Sequence, residues 1–295
     1  MKVSPLCAIC LSSSAVRLSS LTHLERDEAF RLALQLLREF RAMWSDDAIP
    51  ADLGTALALR ASELSGIEDI KGPLKRAAME SVRDGIRTVA LRHLSGIPEG
   101  YERFREVALL SAAANAVEVG VQDHPIDPSK AFKAVLRAAS RGFAVDRTRE
   151  AYSIIKGARS VVLMSDNLGE FLVDALLIDL LVGMGKEVTV LAKPGPILDD
   201  VTVDEARQVV PSGVRVIPAT VRPRLGFRRG EATREALEAI EESDMVIAKG
   251  MGHYETLTEP AEGLGRPTLL LLTAKCRPVA RSLGVRLGSP VALML

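Results

Sequence analysis

Asparagine is nearly missing from this chain of 295 residues, which keeps only Asn115 and Asn167. Glutamine and aromatic side chains are also scarce, and the charged residues are rich in arginine. Avoidance of thermolabile amides resembles the composition of heat-adapted proteins. Three cysteines in so long a chain exclude a disulfide framework and point to a reducing compartment. Charge of one sign is not in excess, since 38 Lys and Arg balance 38 Asp and Glu, so the global field that marks a nucleic-acid binder is absent. Long apolar runs are missing too. The nearest, residues 171–185, is short for a membrane span and carries Asp174 and Asp179. The first residues lack the basic start and continuous apolar core of a signal peptide. These absences predict a cytoplasmic protein with small-molecule partners, without nucleic-acid or membrane partners.

What is present divides near residue 156, and the length suits two domains. Before that point apolar residues recur at helical spacing and almost nothing alternates, so residues 1–156 read as an all-helical domain. Helices are expected from Glu25 to Met43, from Pro73 to Leu94 and from Glu102 to Val119. From residue 157 short apolar runs alternate with helical stretches. Val161–Met164, Val188–Leu191, Val214–Ile217, Met245–Ala248 and Thr268–Leu272 are expected strands, with Val291–Leu295 as a sixth. Alternating strand and helix call for a Rossmann-like parallel sheet over residues 157–295. The fold class is therefore α/β, with a helical domain packed on a Rossmann-like one.

Ser165-Asp166-Asn167-Leu168-Gly169-Glu170, directly after the first of these strands, carries the most chemistry. In an open parallel sheet such a turn lies at the carboxyl edge, where ligands bind, and the following helix offers free N–H groups to an anion. Glu170 and Asp174, four residues apart, share one helix face beside Asn167. Asp199-Asp200 follows the next strand, so Asp166, Asn167 and one of these two acids can converge on a hard cation. Each of these residues is equally suited to capping a helix.

Lysines occur at other strand ends. Lys249-Gly250-Met251-Gly252-His253-Tyr254-Glu255-Thr256 follows the fourth strand and reads either as a flexible loop or as a close backbone approach with a phosphate-neutralising lysine. Thr273-Ala274-Lys275 adds a second cation at the same level, and two lysines facing an acidic cluster suit a metal-bridged phosphoryl group. Asn115, on a small apolar helical face, either ties two helices together or reaches the cleft. Cys7-x-x-Cys10 has zinc half-site spacing without a second half, so both cysteines read as core residues of one helix, and Cys276 as packed at a helix start. His23, His93 and His124 are isolated, whereas His253 sits among glycines. Arg222, Arg224, Arg228 and Arg229 read as a solvated loop or as a lid that recruits an anion.

In order and spacing, the segments 165–170 with Asp174, 195–202, 249–257 and 274–276 resemble the damage-control phosphatase family, once catalogued as domain of unknown function eighty-nine. Asn115 and Cys7-x-x-Cys10 match its small standalone members. The resemblance implies a divalent cation, manganese, magnesium, cobalt or nickel, held by Asp166, Asn167 and Asp200. It further implies hydrolysis of phosphate monoesters of sugars or related metabolites, with Asp166, Glu170 and Lys249 catalytic and Asn115, Glu170, Lys249, His253 and Lys275 contacting substrate. His253 stands where the family usually has asparagine, and the arginine-rich loop at 222–230 replaces a turn bearing glycine and aspartate. A non-catalytic metabolite or metal-binding protein remains the alternative. A Rossmann methyltransferase or dinucleotide enzyme would need Gly-x-Gly-x-x-Gly after the first strand, and the chain has one glycine there.

Overall fold

The computed structural model describes residues 1–115 and 128–295. Its first half supplies α1 (Pro5–Ser20), α2 (Arg26–Met43), α3 (Pro50–Ser65), α4 (Gly72–Leu94), α5 (Tyr101–Ala114) and α6 (Pro128–Ala139). Then follow β1 (Val145–Asp146), α7 (Thr148–Gly157), β2 (Ser160–Met164), α8 (Leu168–Gly183), β3 (Glu187–Ala192) and α9 (Val203–Arg207). The remainder is β4 (Arg215–Pro218), α10 (Arg234–Glu242), β5 (Met245–Lys249), α11 (Gly250–Leu257), β6 (Thr268–Thr273), α12 (Arg277–Leu283) and β7 (Pro290–Met294). The expected strands and helices are present with ends shifted by a residue or two. The last residues of the helix expected to reach Val119, and His124, lie outside the described residues.

The strands form one sheet in the order β1-β7-β6-β5-β2-β3-β4. All neighbours are parallel except β6 and β7. The antiparallel β7 departs from the expected all-parallel pattern because the chain never crosses back to the amino edge after β6. Ala274 and Ser289 are joined there by a backbone hydrogen bond of 3.0 Å, so the chain re-enters the sheet from the edge it left. Strand β1 is the exception to an all-helical first half. Two residues are too few for a period of two to register in the sequence.

Both sheet faces are covered, which is why the strands read as continuous apolar runs rather than alternating ones. Val161, Leu163, Val190, Ile247 and Leu271 pack under α4 to α8, while Val162, Met164, Leu191, Val246 and Leu270 pack under α10 to α12. Helix α8 is buried along most of its length, between the sheet and α4 and α5, so it is apolar nearly all round. Helices α1, α2 and α3 pack around Leu11, Leu18, Leu36 and Leu57, and they rest α3 on α11 and α1 on α12. No described helix is long and apolar enough to cross a membrane.

The strand order reverses at β2. The chain builds outward through β3 and β4 on one side, then returns to place β5 and β6 on the other. Loops leaving β2 and β5 therefore diverge, opening a crevice at the carboxyl edge. Met164 and Ala248 are register partners, so Asp166 and Lys249 emerge there at nearly the same level.

Candidate active site

Asp166 approaches the backbone of Gly250 across this crevice. A Cβ on Gly250 would stand 1.6 Å from Asp166 Oδ2, and the glycine has φ +79°, so only glycine lets the β5 turn pass this carboxylate. On its other side the β2 turn is stitched to the β3 turn. Leu168 N–H donates to the Asp199 carbonyl at 2.8 Å and Val201 N–H to the Asp166 carbonyl at 2.9 Å. The segment Asp166-Asn167 is thereby locked beside Asp199-Asp200.

Neither Asn167 nor Asp200 serves as a side-chain cap. Asn167 stands at the N-cap of α8 but makes no side-chain cap; its Nδ2 donates instead to Glu170 Oε1 at 2.6 Å. Asp200 is no cap either, because Thr202 caps α9 in a reciprocal pair with Glu205. Asp200 is buried, and its Oδ2 has no hydrogen-bond donor among the described residues, although the Lys193 ammonium lies 3.3 Å away. Burial, with Glu170 and Asp200 beside it, pushes the Asp166 carboxyl well above the usual carboxylate range. Burial also raises that of Asp200, against the pull of Lys193. No three His, Cys, Asp or Glu side chains among the described residues converge as a ready metal cluster. Two carboxylates completed by the Asn167 amide make a hard-oxygen set suited to magnesium or manganese, and a cation would relieve the crowding of Asp166 by Glu170 and Asp200.

Beneath this pair lies a buried hydrogen-bond network in which Asp174 Oδ2 alone lacks a donor among the described residues. Asn115, at the end of α5, donates from Nδ2 to Glu170 Oε1 at 2.6 Å and to Asp166 Oδ2 at 3.2 Å, while its Oδ1 accepts from Thr273 N–H at 3.2 Å. Of the two readings of Asn115, the second holds: it reaches the cleft from the helical layer, and both asparagines of the chain meet on one oxygen of Glu170. Lys249 is fully buried and donates to Glu170 Oε2 (3.1 Å), the Ser111 carbonyl (3.1 Å) and, as an ion pair, Asp174 Oδ1 (3.0 Å). An ammonium carries three donors, and all three are engaged. The structure thus places Lys249 as the counter-ion of Glu170 and Asp174, not at the expected phosphate contact. Burial opposes the charge on Glu170, but Lys249 and Lys275 outweigh it and hold the carboxyl below its ordinary value. Asp174 is pushed up to about 6 by burial despite Lys249.

Other expectations are rearranged. Lys275 is exposed at the mouth, acts electrostatically on Asp166 and Glu170, and has no hydrogen-bond or ion-pair partner among the described residues. His253 belongs to helix α11 rather than to a loop. It is buried, donates from Nδ1 to the Lys249 carbonyl at 2.6 Å, and is driven down to about 3 by burial and the nearby Lys193. A neutral, inward-facing imidazole here orders the start of α11 and does not reach the mouth of the cleft. Of the arginine-rich segment, Arg222 is exposed as a solvated loop would have it, but the remainder is neither solvated nor a free lid. Arg224 is 3% exposed and pairs with Asp52 and Glu231, and Arg228 pairs with Asp52 and Glu262. Cys10 is exposed, so only Cys7 of that pair is a core residue, whereas Cys276 stands at the N-cap of α12 as expected.

Two lysines carry more of the site than the sequence reading assigned to them. Lys193, 1% exposed, ties Asp200 to the Gly226 carbonyl (3.2 Å). Lys75, from α4, holds the Asp200 carbonyl (2.9 Å) and Glu205 (3.0 Å). Lys193 had a signal: it directly follows β3, as Lys249 ends β5 and Lys275 follows β6.

Fold and site define a Rossmann-like α/β protein whose acid and amide oxygens gather at the switch point of a parallel sheet, under a helical layer that contributes Asn115. The chain belongs to the damage-control phosphatase ARMT1-like domain family, whose model matches residues 3–291. It is 30% identical over 294 residues to a protein of Archaeoglobus fulgidus named damage-control phosphatase, covering 99% of both chains. It is 26% identical over 302 residues to a damage-control phosphatase of Pyrococcus horikoshii, covering 99% of this chain and 98% of that one. The crystal structure of a DUF89 family protein from Pyrococcus horikoshii superposes with a TM-score of 0.88 at 26% identity, covering 99% of each chain.

Proposed function

We propose that this protein is a divalent-metal-dependent phosphatase that hydrolyses phosphate monoesters of sugars or related small metabolites. The observation that carries the reading is the pair of buried carboxylates, Asp166 and Asp200, clipped together beside the Asn167 amide, with burial raising the proton affinity of both acids. The names of the relatives from Archaeoglobus fulgidus and Pyrococcus horikoshii support a phosphatase. A cation bound to Asp166, Asn167 and Asp200 would neutralise phosphoryl charge and make a water acidic enough to attack.

The chain's own groups define the rest. Helix α8 begins without a side-chain cap, so the N–H groups of Gly169 and Glu170 are open to a phosphoryl oxygen. Lys275 supplies an exposed positive charge at the mouth, where charge on the transferring group needs offsetting. Glu170 stays ionised, both oxygens occupied, and fixes the two asparagines and Lys249 in one arrangement. Its role is to orient Asn115 and Asn167, and Lys249 and Asp174 keep its charge stable in a buried place. Removing Lys249 would leave two buried carboxylates without their cation.

Phosphate release from p-nitrophenyl phosphate and a panel of sugar phosphates, with magnesium, manganese, cobalt or nickel, tests the reading. Activity is expected only with metal and is expected to fall at least a thousandfold in Asp166→Ala, an order-of-magnitude figure for loss of the main electrostatic group. Metal-independent turnover, or unchanged turnover in that variant, would remove it. Binding of esters without release would make the protein a metabolite-binding member of the family.

A further inference from the structure

A cavity lies against the loop that carries the acid Asp200, lined on its side by the neighbouring Asp199. It has a volume of about 270 Å³ and lies between α1 and the loop before α9, with Ser13, Ser14 and Arg17 on one wall and Lys71 and Asp199 on the other. Asp199 is shared between this cavity and the centre already described. Its carbonyl accepts the Leu168 N–H at the start of α8, and the next residue is the buried Asp200, about 3.8 Å away along the chain. The loop divides its side chains between the two spaces, with Ile197 and Asp200 buried inward and Leu198 and Asp199 lining the cavity. That division requires Leu198 at φ 46°, a left-handed conformation that a leucine adopts at a cost and that tends to persist where a site depends on it.

The charges in the cavity do not cancel. Asp199 is neutralised by Lys71 at 2.6 Å. Arg17 is exposed and has no ion pair among the described residues. The space would hold about nine waters at their liquid volume, enough for a short polyol or a carboxylate-bearing carbon chain.

We propose that this cavity is the distal subsite of the phosphatase centre, and that Arg17 selects phosphate esters bearing a second anionic group, a carboxylate or another phosphate, at the end away from the scissile phosphate. The proposal rests on the phosphatase reading for its kinetic form. Ser13 and Ser14 offer hydroxyls to the middle of such a molecule, and the guanidinium gives the two-pronged hydrogen bonding that carboxylate and phosphate both accept. Because the cavity is open to water, the selection acts on binding and weakens with salt.

Two matched pairs of esters test it: 3-phosphoglycerate against glycerol 3-phosphate, and fructose 1,6-bisphosphate against fructose 1-phosphate. Wild type is expected to favour the second anion at least about tenfold in kcat/KM through KM, the size of one hydrogen bond to a charged group. A preference in the first pair alone assigns carboxylate, and in the second alone phosphate. Arg17→Ala should bring the preference near one while leaving kcat/KM for glycerol 3-phosphate and the melting temperature unchanged, and Arg17→Lys should keep part of it. Equal preference in wild type and Arg17→Ala overturns the proposal, as does absence of any preference in wild type. If no ester is hydrolysed with any metal, the phosphatase reading falls, and calorimetric titration of wild type and Arg17→Ala with the same four esters decides the subsite: equal affinities for each pair overturn it, and an Arg17-dependent gap supports it.

Discussion

At position 250 a single methyl group would collide with the carboxylate that the centre is built around, at 1.6 Å from Asp166 Oδ2, and φ +79° adds backbone strain to the collision. Gly250→Ala must therefore move Asp166, the β5 turn, or both. A displacement of about 1 Å at a positioned group costs about a hundredfold in rate. The variant is expected to lose that much in kcat/KM for p-nitrophenyl phosphate, with a melting temperature lowered by only a few degrees. Retention of full activity would show that Asp166 is free to shift without consequence. At this scale much of the site was legible. Asp166, Asn167 and Asp200 could be placed because strand-end turns converge in any parallel sheet. Lys249 was found but given the wrong neighbour, since a strand-end lysine looks alike whether it faces water or the core. The clue lay elsewhere, in Glu170 and Asp174 in the first two turns of a largely apolar, buried helix, where two acids demand a buried cation.

At the scale of elements, the helical layer acts as part of the site. Helix α5 brings Asn115 and Ser111 to the sheet edge, α4 brings Lys71 and Lys75, and α3 brings Asp52 to the arginine-rich segment. Such contacts join residues from 51 to 172 positions apart, which a reading by local spacing cannot supply. For the same reason the strand order, the reversal of β7 and the short β1 had to come from the structure, whereas each longer strand was legible from its apolar run. The arginine-rich segment shows the effect of burial. Its charges suggested solvent, but Arg224 is enclosed with Asp52 and Glu231. Truncating one partner of a buried pair leaves an uncompensated charge and costs about 3–5 kcal/mol. Asp52→Ala is partly relieved because Asp52 is about one-third exposed and Glu231 remains, so about 2 kcal/mol is expected, or a fall of a few degrees in melting temperature. Limited proteolysis should cut within residues 221–231 before the rest of the chain opens. Unchanged resistance to proteolysis would show that the segment is held by its apolar contacts alone.

At the scale of the whole molecule, four buried carboxyls among the described residues lie above their ordinary proton affinity. Burial raises Asp166 and Asp200, takes Asp174 to about 6, and takes Glu255, beside the amino terminus, to about 7. A group whose folded pKa exceeds its unfolded value contributes stability below the unfolded pKa, and that contribution is lost as pH rises through the folded pKa. The metal-free protein should therefore lose stability as pH rises above the ordinary carboxylate range, with the Asp174 and Glu255 contributions lost by about pH 7. A divalent cation works in the opposite sense, because it binds the deprotonated forms of Asp166 and Asp200 and releases protons on binding. The increase in melting temperature from manganese or magnesium should thus be larger at pH 8 than at pH 5. At a free concentration a hundredfold above Kd the stabilisation is about 2.7 kcal/mol, a shift of several degrees for a chain of this size. Glu255→Gln separates the two contributions. It removes the share of the pH slope that belongs to Glu255, away from the acid pair, while the metal increment and its pH dependence persist. Melting curves in chelator and in metal, at pH 5, 6.5 and 8, for wild type and Glu255→Gln, measure all of this. A metal increment that is the same at every pH would mean that the cation does not bind the raised carboxyls, and Asp166 and Asp200 would then lose their place as its ligands.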